Sequence, residues 1–254
     1  MKYIVLDLEY NQAFDFGDGH NKLSNARCPF EIIQIGAVRL NSNFKYEASL
    51  NLLIKPVIYK RIHPYVARIT GLDYDVLKNK QSFAEALSEL YKFVGKKQAI
   101  YCVWGANDIK ELRKNMDYYS LSNDKANINF IDVQGIASRY LNHLAGMGIG
   151  LKKAVAALDI EMDRPFHDAL NDAEYTAKIL QLLRREPLKI MQFTHDRKTM
   201  IVPPSTKADI LTFYNSVKDR MTRTFAERDN WMFKNVYLGT KAKSFDDTSK
   251  EKIK

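Results

Sequence analysis

The pattern of apolar and polar positions predicts a sheet built from short buried strands. Each predicted strand is a run of apolar and branched residues, as is typical of strands inside an α/β protein. The runs are Tyr3–Leu6, Ile32–Leu40, Ala48–Ile54, Ala99–Trp104 and Ile128–Val133. The first three follow one another without a predicted helix between them, so we expect them to pair as neighbours in the sheet.

Helices are predicted between and after the later strands. Apolar residues from Phe83 to Val94 recur three and four positions apart, as in a helix with one face on the core. Further helices are predicted at Ile109–Asn115, Val133–Leu144 and Leu151–Leu158, and from about Ala169. We expect Asp132 to cap the helix that starts at Val133. This order of elements predicts an α/β fold.

Two acidic residues follow the first predicted strand. The period of two points the side chains of Asp7 and Glu9 toward the same side of the sheet. Two crowded carboxylates repel each other unless a cation neutralises them, and Mg²⁺ favours such oxygen ligands. Taken alone, however, the pair is more typical of a solvated turn or a helix cap.

Two later segments change this interpretation. Asp108 lies at a predicted junction between a strand and a helix, where its carboxylate can face a site. His167 and Asp172 lie five residues apart where a later helix begins. A loop histidine followed by a surface acid would look the same, so it is the combination of the three segments that favours a metal site.

The order of these motifs resembles the DEDDh family of 3′-to-5′ exonucleases. The motifs are Asp7-x-Glu9, Gly105-x-x-Asp108 and His167-x-x-x-x-Asp172, and the resemblance extends over about residues 1–183. The sequence of Glu31–Gly36 and the acids of the last motif are most similar to those of the KapD and Eri-like group. The resemblance implies a ribonuclease H-like fold, with a mixed central sheet flanked by helices, as an exonuclease domain over residues 1–184.

The resemblance also implies the site and its chemistry. Four carboxylates would hold two divalent ions, Mg²⁺ or Mn²⁺. They belong to Asp7, Glu9, Asp108 and Asp172. His167 would act as the general base for the attacking water. Relatives with a tyrosine base carry it four residues before the last aspartate, where this chain has Asp168, so the histidine subtype is implied. We expect His167 to lie in a mobile loop before the helix.

The implied substrate is the 3′ end of single-stranded RNA or DNA, with RNA favoured, shortened to nucleoside 5′-monophosphates. The candidate substrate contacts are Tyr10, Asn11, Thr70, Gly71 and Leu72, with Arg61 from a basic segment as a phosphate contact. Tyr10 and Asn11 replace the small hydroxylated residues of many relatives, which leaves substrate choice open. The polar segment Gln12–Pro29 either borders the site, with Phe14 or Phe16 as stacking surfaces, or is a surface insertion.

The charge of the chain agrees with a nucleic-acid partner but identifies no sequence preference. The 254 residues carry a formal net charge of +9, and residues 185–254 hold 15 basic and nine acidic side chains. These residues form a basic C-terminal extension in which Lys207–Met232 predicts a helix. The helix either packs on the core or offers a platform to single strands or a partner. From Lys241 onward we expect disorder.

Other features narrow the class of protein. No apolar run has the length of a membrane helix and the N-terminus lacks a signal-peptide pattern, so we expect a cytoplasmic enzyme. Cys28 and Cys102 lack metal-site spacing, which favours free thiols over a disulfide. Two alternatives stay open: a DNA proofreading or repair exonuclease, and a catalytically silent nucleic-acid-binding protein of the same fold. A homodimer is an alternative to a monomer.

Overall fold

The computed structural model describes residues 1–17, 23–95, 99–121, 128–143 and 148–193, and their strands form one mixed sheet. The strands are β1 (Lys2–Gln12), β2 (Phe30–Leu40), β3 (Tyr46–Leu53), β4 (Ala99–Val103), β5 (Ile128–Asp132) and β6 (Ile190–Phe193). Their order across the sheet is β3-β2-β1-β4-β5-β6. The pairs β1–β4 and β4–β5 are parallel, and the other neighbours are antiparallel. The expected mixed sheet flanked by helices is confirmed.

Helices cover both faces of this sheet. They are α1 (Pro64–Thr70), α2 (Tyr74–Leu77), α3 (Phe83–Val94), α4 (Asn107–Tyr118), α5 (Val133–Tyr140), α6 (Leu151–Ala157) and α7 (Ala169–Leu182). Ser82 and Glu85 cap each other's main-chain N–H groups, which explains why α3 begins at its predicted residue. The predicted cap of α5 is confirmed, because Asp132 accepts the N–H of Gly135 at 3.0 Å.

Alternate residues of β1 enter two separate cores. Val5 packs with α5, α6 and α7 on one face, whereas Leu6 packs with α3 and α4 on the other. Asp7 and Glu9 continue the odd-numbered series, so they lie on the face that α7 covers.

Several element boundaries differ from the predicted ones. β1 continues beyond Leu6 to Gln12, because its polar end still pairs with the start of β2. α5 ends at Tyr140, before the predicted Leu144. β6 lies beyond residue 184 and pairs with β5, so the sheet extends past the predicted end of the domain. The predicted helix Lys207–Met232 lies outside the described residues.

The two cysteines agree with the expected free thiols. Cys28 and Cys102 are both buried free thiols. Among the residues described here, no helix is long and apolar enough to cross a bilayer.

Candidate active site

Strand β1 carries Asp7 and Glu9 to the end of its parallel pairing with β4. Leu6 is level with Val103, the last residue of β4, so both acids follow directly after the paired stretch. In the antiparallel direction Asp7 lies opposite Gly36 of β2. The two carboxylates therefore stand where the sheet meets the first turn of α7.

The N-terminus of α7 rests directly on the main chain of β2. A Cβ atom added to Gly36 would lie 2.0 Å from the carbonyl carbon of Ala169, so only glycine permits this approach. Because Gly36 is also the β2 neighbour of Asp7, the contact brings the first turn of α7, which carries Asp172, close to Asp7.

Gln34 holds the same end of α7 through hydrogen bonds. Its side-chain N–H donates to Asp168 Oδ2 at 2.8 Å, and its side-chain oxygen accepts the N–H of Ala169 at 3.3 Å. Asp168 Oδ1 caps the helix by accepting the N–H of Asn171 at 3.0 Å. Both oxygens of Asp168 are thus used to position α7, although this residue lies beside His167 in the sequence.

Among the residues that the structure describes, Glu9, His167 and Asp172 form a cluster of side chains that could hold a metal ion. One side-chain ligand atom from each lies within 4.8 Å of the others. Asp172 Oδ2 accepts the main-chain N–H of His167 at 3.1 Å, whereas its Oδ1 is buried without a hydrogen-bond partner. A buried carboxylate oxygen without a donor is costly unless a cation binds it, so this atom fits the predicted role of metal ligand.

Asp108 approaches the acids of β1 from the first turn of α4, and Tyr10 holds it there. The carboxylate is buried, and Oδ1 accepts a hydrogen bond of 2.6 Å from the Tyr10 hydroxyl. Burial and the charge of Asp108 raise the pKa of Tyr10 well above its ordinary value, so the phenol keeps its proton and remains a donor. The polar atom of Tyr10 thus binds a site carboxylate, and contact of this residue with substrate stays a prediction.

The crowded carboxylates raise one another's pKa values. Burial, followed by the charges of Asp108 and Asp172, raises the pKa of Asp7 well above its ordinary value. Burial and the charges of Asp172 and Asp108 raise the pKa of Glu9 to about 8. Burial also raises the pKa of Asp108 to about 7 and that of Asp172 to about 6. A divalent cation would relieve this repulsion, and carboxylate oxygens are the donors that Mg²⁺ and Mn²⁺ prefer.

The segment before α7 holds His167 in a defined place. The Tyr175 hydroxyl donates to the carbonyl of Arg164 at 2.8 Å and accepts its N–H at 2.9 Å. The Phe166 ring stacks on Tyr175 with centroids 4.7 Å apart. His167 itself is exposed and has a φ of 66°, a conformation that non-glycine residues adopt at a cost. The main chain at Arg164 and His167 is thus hydrogen-bonded to α7, whereas His167 is exposed, and the mobility of this loop stays a prediction.

Asn11 has a structural role in the described chain, and its predicted contact with substrate stays a prediction. It is fully buried, and its side-chain N–H group donates to the carbonyls of Tyr59 and Arg61 at 2.9 and 3.0 Å. Its side-chain oxygen accepts the N–H of His63 at 2.9 Å. Every polar atom of this side chain is thus used to hold the segment between β3 and α1.

The predicted contacts at residues 70–72 form the end of α1. Thr70 donates its hydroxyl to the carbonyl of Val66 at 2.8 Å, and Gly71 ends the helix with a φ of 70°. Leu72 is buried in a small apolar cluster. These positions shape the end of the helix and its packing, and their contact with substrate stays a prediction.

Arg61 lies against an aromatic side chain of the segment that follows β1. Its guanidinium carbon is 3.7 Å from the centroid of the Phe16 ring. Phe14 packs edge-on against both Phe16 and His63, with centroids 4.8 and 4.7 Å apart. We call these four side chains the Phe14–Arg61 patch. The backbone that precedes Arg61 is held by buried Glu31, which accepts the N–H groups of residues 57–59 at distances of 2.6 to 2.9 Å.

Three residues that organise the site were not identified from the sequence. Gly36 and Gln34 interrupt an otherwise apolar strand, and a glycine inside a strand is a known signal of close backbone approach. Tyr175 gave no such signal, because one aromatic residue on a helix is indistinguishable from ordinary core. Its role depends on a contact with residue 164 that only the folded chain creates.

Comparisons with known proteins give one family model and several similar folds. A family model of the RNase T type, described as exonuclease, matches residues 5–180. A sequence search of curated proteins gives no match. The fold is similar to the nuclease domain of 3′hExo, a DEDDh family member bound to rAMP, with a TM-score of 0.62 and 17% identity over 75% of this chain and 96% of that domain.

Two further structures are similar, and the match covers a smaller share of each of those proteins. Cell-death related nuclease 4 gives a TM-score of 0.59 and 17% identity over 75% of this chain and 66% of that one. E. coli exonuclease I in complex with a dT13 oligonucleotide gives a TM-score of 0.55 and 17% identity over 72% of this chain and 41% of that one. This chain thus spans less than two thirds of either protein, and at these identities the likeness establishes the fold.

Proposed function

Because the chain belongs to the exonuclease family whose model spans residues 5–180, we propose that it removes nucleotides one at a time from the 3′ ends of single-stranded nucleic acid, with RNA as the favoured substrate. The observation that carries the proposal is the convergence of four carboxylates and His167 at one end of β1. The buried, unpartnered Oδ1 of Asp172 is the strongest single sign that a cation completes this site.

We assign the carboxylates of Asp7, Glu9, Asp108 and Asp172 to two divalent ions, Mg²⁺ or Mn²⁺. When bound, such ions neutralise the phosphate, activate water and stabilise the departing oxygen. The chain supplies the donor set. Burial and mutual repulsion raise the pKa values of these acids, so a bound cation would stabilise their charged forms. Sheet, α4 and α7 each contribute part of the set, so it exists only in the folded chain.

His167 is assigned as the general base. Its exposed imidazole lies beside Glu9 and Asp172 and takes the proton of the water that attacks the terminal phosphodiester. The bond from phosphorus to the 3′ oxygen of the preceding nucleotide then breaks, and a nucleoside 5′-monophosphate leaves. The hydrogen bonds of Tyr175 and Asp172 fix the main chain around residue 167, so the imidazole starts from a defined position.

The Phe14–Arg61 patch supports a single-stranded substrate. Aromatic faces stack on unpaired bases, and a guanidinium offers a charge to phosphate. Two observations favour RNA. The motifs resemble those of the KapD and Eri-like group, and the similar 3′hExo domain is described as bound to rAMP. DNA is the competing substrate, since exonuclease I is described with dT13.

The test is a time course on 5′-labelled single-stranded RNA and DNA of matched sequence, with Mg²⁺, Mn²⁺ or a chelator. We expect a metal-dependent ladder that shortens from the 3′ end, and its loss in Asp7→Asn and His167→Ala. Asp75→Asn is the matched control, because Asp75 is an exposed acid paired with Lys78 on α2. The ratio of the RNA and DNA rates identifies the preferred substrate. Intact substrates with every metal, together with salt-sensitive binding, would favour a catalytically silent binding protein.

A further inference from the structure

Tyr10 lies on the opposite face of β1 from Asp7 and Glu9. The strand period puts Asp7 and Glu9 on the α7 face, whereas Tyr10 packs with the core of α3 and α4. The register between β1 and β2 shifts at this point, because Glu9 pairs with Gln34 but Tyr10 pairs with Ile32. Such a bulge increases the local twist and redirects the side chains that follow it.

From this position the Tyr10 hydroxyl reaches α4 and donates a hydrogen bond to the carboxylate of Asp108. The distance of 2.6 Å to Oδ1 is that of a strong hydrogen bond from a hydroxyl to a carboxylate. The ring is held by the apolar core and lies beside Phe30, with centroids 6.2 Å apart. A rigid donor on one oxygen fixes the plane of the carboxylate and leaves Oδ2 to a cation.

We propose that Tyr10 is a positioning residue for the metal ligand Asp108, an inference that rests on the proposed function. Residues that orient ligands in this way change metal affinity by about 10- to 100-fold when they are removed. The length of the tyrosine side chain brings its hydroxyl from β1 to the carboxylate of Asp108 on α4.

The decisive measurement is Mn²⁺ binding, followed by the electron paramagnetic resonance signal of the free ion at fixed pH. We expect Tyr10→Phe to weaken binding by about 10- to 100-fold, because it removes the hydroxyl and keeps the ring. Exonuclease activity of the variant should recover when the metal concentration is raised, with kcat close to that of the native chain. A merely structural role would lower the unfolding temperature without this recovery.

Tyr119→Phe is the matched control. Tyr119 packs against the same core, and its hydroxyl also donates to a buried carboxylate, that of Glu31, at 3.4 Å. Its removal should leave Mn²⁺ affinity unchanged. Mn²⁺ affinity of Tyr10→Phe within twofold of the native value would overturn the inference.

Asp108→Asn separates this inference from the proposed function. If Asp108→Asn weakens Mn²⁺ binding and Tyr10→Phe does not, Asp108 is a ligand and only the role of Tyr10 fails. If neither variant changes Mn²⁺ binding, the proposed ligand set itself fails.

Discussion

Replacement of Gly36 by alanine should disassemble the site while leaving the sheet in place. The φ of Gly36 is not in the left-handed region, so alanine meets no backbone penalty there. The cost comes from its Cβ, which would lie 2.0 Å from Ala169 C, 2.1 Å from Ala169 O and 2.3 Å from Leu170 N. All three atoms belong to the main chain of α7, so no side-chain rotation can relieve the overlap.

The size of the effect follows from these distances. Ordinary van der Waals contact begins at 3.4 Å, so the first turn of α7 must retreat by about 1.4 Å. Asp172 lies on this turn and would move away from Asp7 and Glu9 with it. A displacement of about 1 Å costs on the order of 100-fold in rate, and overpacking costs about 1–3 kcal/mol of stability.

The assay compares exonuclease rate, Mn²⁺ affinity and thermal unfolding of Gly36→Ala with those of Gly150→Ala. Gly150 also has ordinary backbone angles, with a φ of −67°, and an added Cβ meets nothing within 4 Å. We expect Gly36→Ala to remain folded with a loss of rate on the order of 100-fold, and Gly150→Ala to behave like the native chain. Native rate and native metal affinity in Gly36→Ala would refute the reasoning, because they would show that α7 does not need this contact.

Three further predictions concern the surroundings of the site. Burial raises the pKa of Glu9 to about 8 and that of Asp108 to about 7, so the metal-free folded chain binds more protons than the unfolded chain from about pH 4 to pH 8. Its unfolding temperature should therefore fall as the pH rises through this window, and Mg²⁺ should abolish the fall; a flat or rising profile in chelator would count against the crowded-acid site. Tyr175→Phe removes both hydrogen bonds to Arg164 and should lower kcat without changing Mn²⁺ affinity; an equal loss of metal affinity would contradict a role through His167. Asn11→Ala leaves buried main-chain groups near Tyr59 and His63 unpaired and should cost about 1–3 kcal/mol in denaturant unfolding, whereas a loss of activity at native stability would favour Asn11 as a substrate contact.

Most elements of the sheet and its helices could be predicted because their signals are local. Strands such as Ile32–Leu40 are rich in apolar residues, and α3 carries its own capping box and apolar face. The end of β1 could not be predicted, because most residues beyond Leu6 are polar and are held in the sheet by pairing with β2. β6 was missed for the same reason, since its pairing with β5 joins residues far apart in the chain.

By itself the sequence determined the three acidic motifs, their order and the α/β character of the chain. It did so because carboxylates at strand and helix ends are visible as local patterns with a fixed spacing. It also led to the family, whose model covers the same stretch.

Only the tertiary structure decided which polar residues serve the site and which serve the scaffold. Asn11 and Tyr10 are adjacent in sequence, yet one holds a loop and the other binds Asp108. The contact between Gly36 and Ala169 likewise joins residues from distant parts of the chain. The physical reason is that a hydrogen bond or a close approach depends on atoms brought together by packing, which no local pattern of residues records.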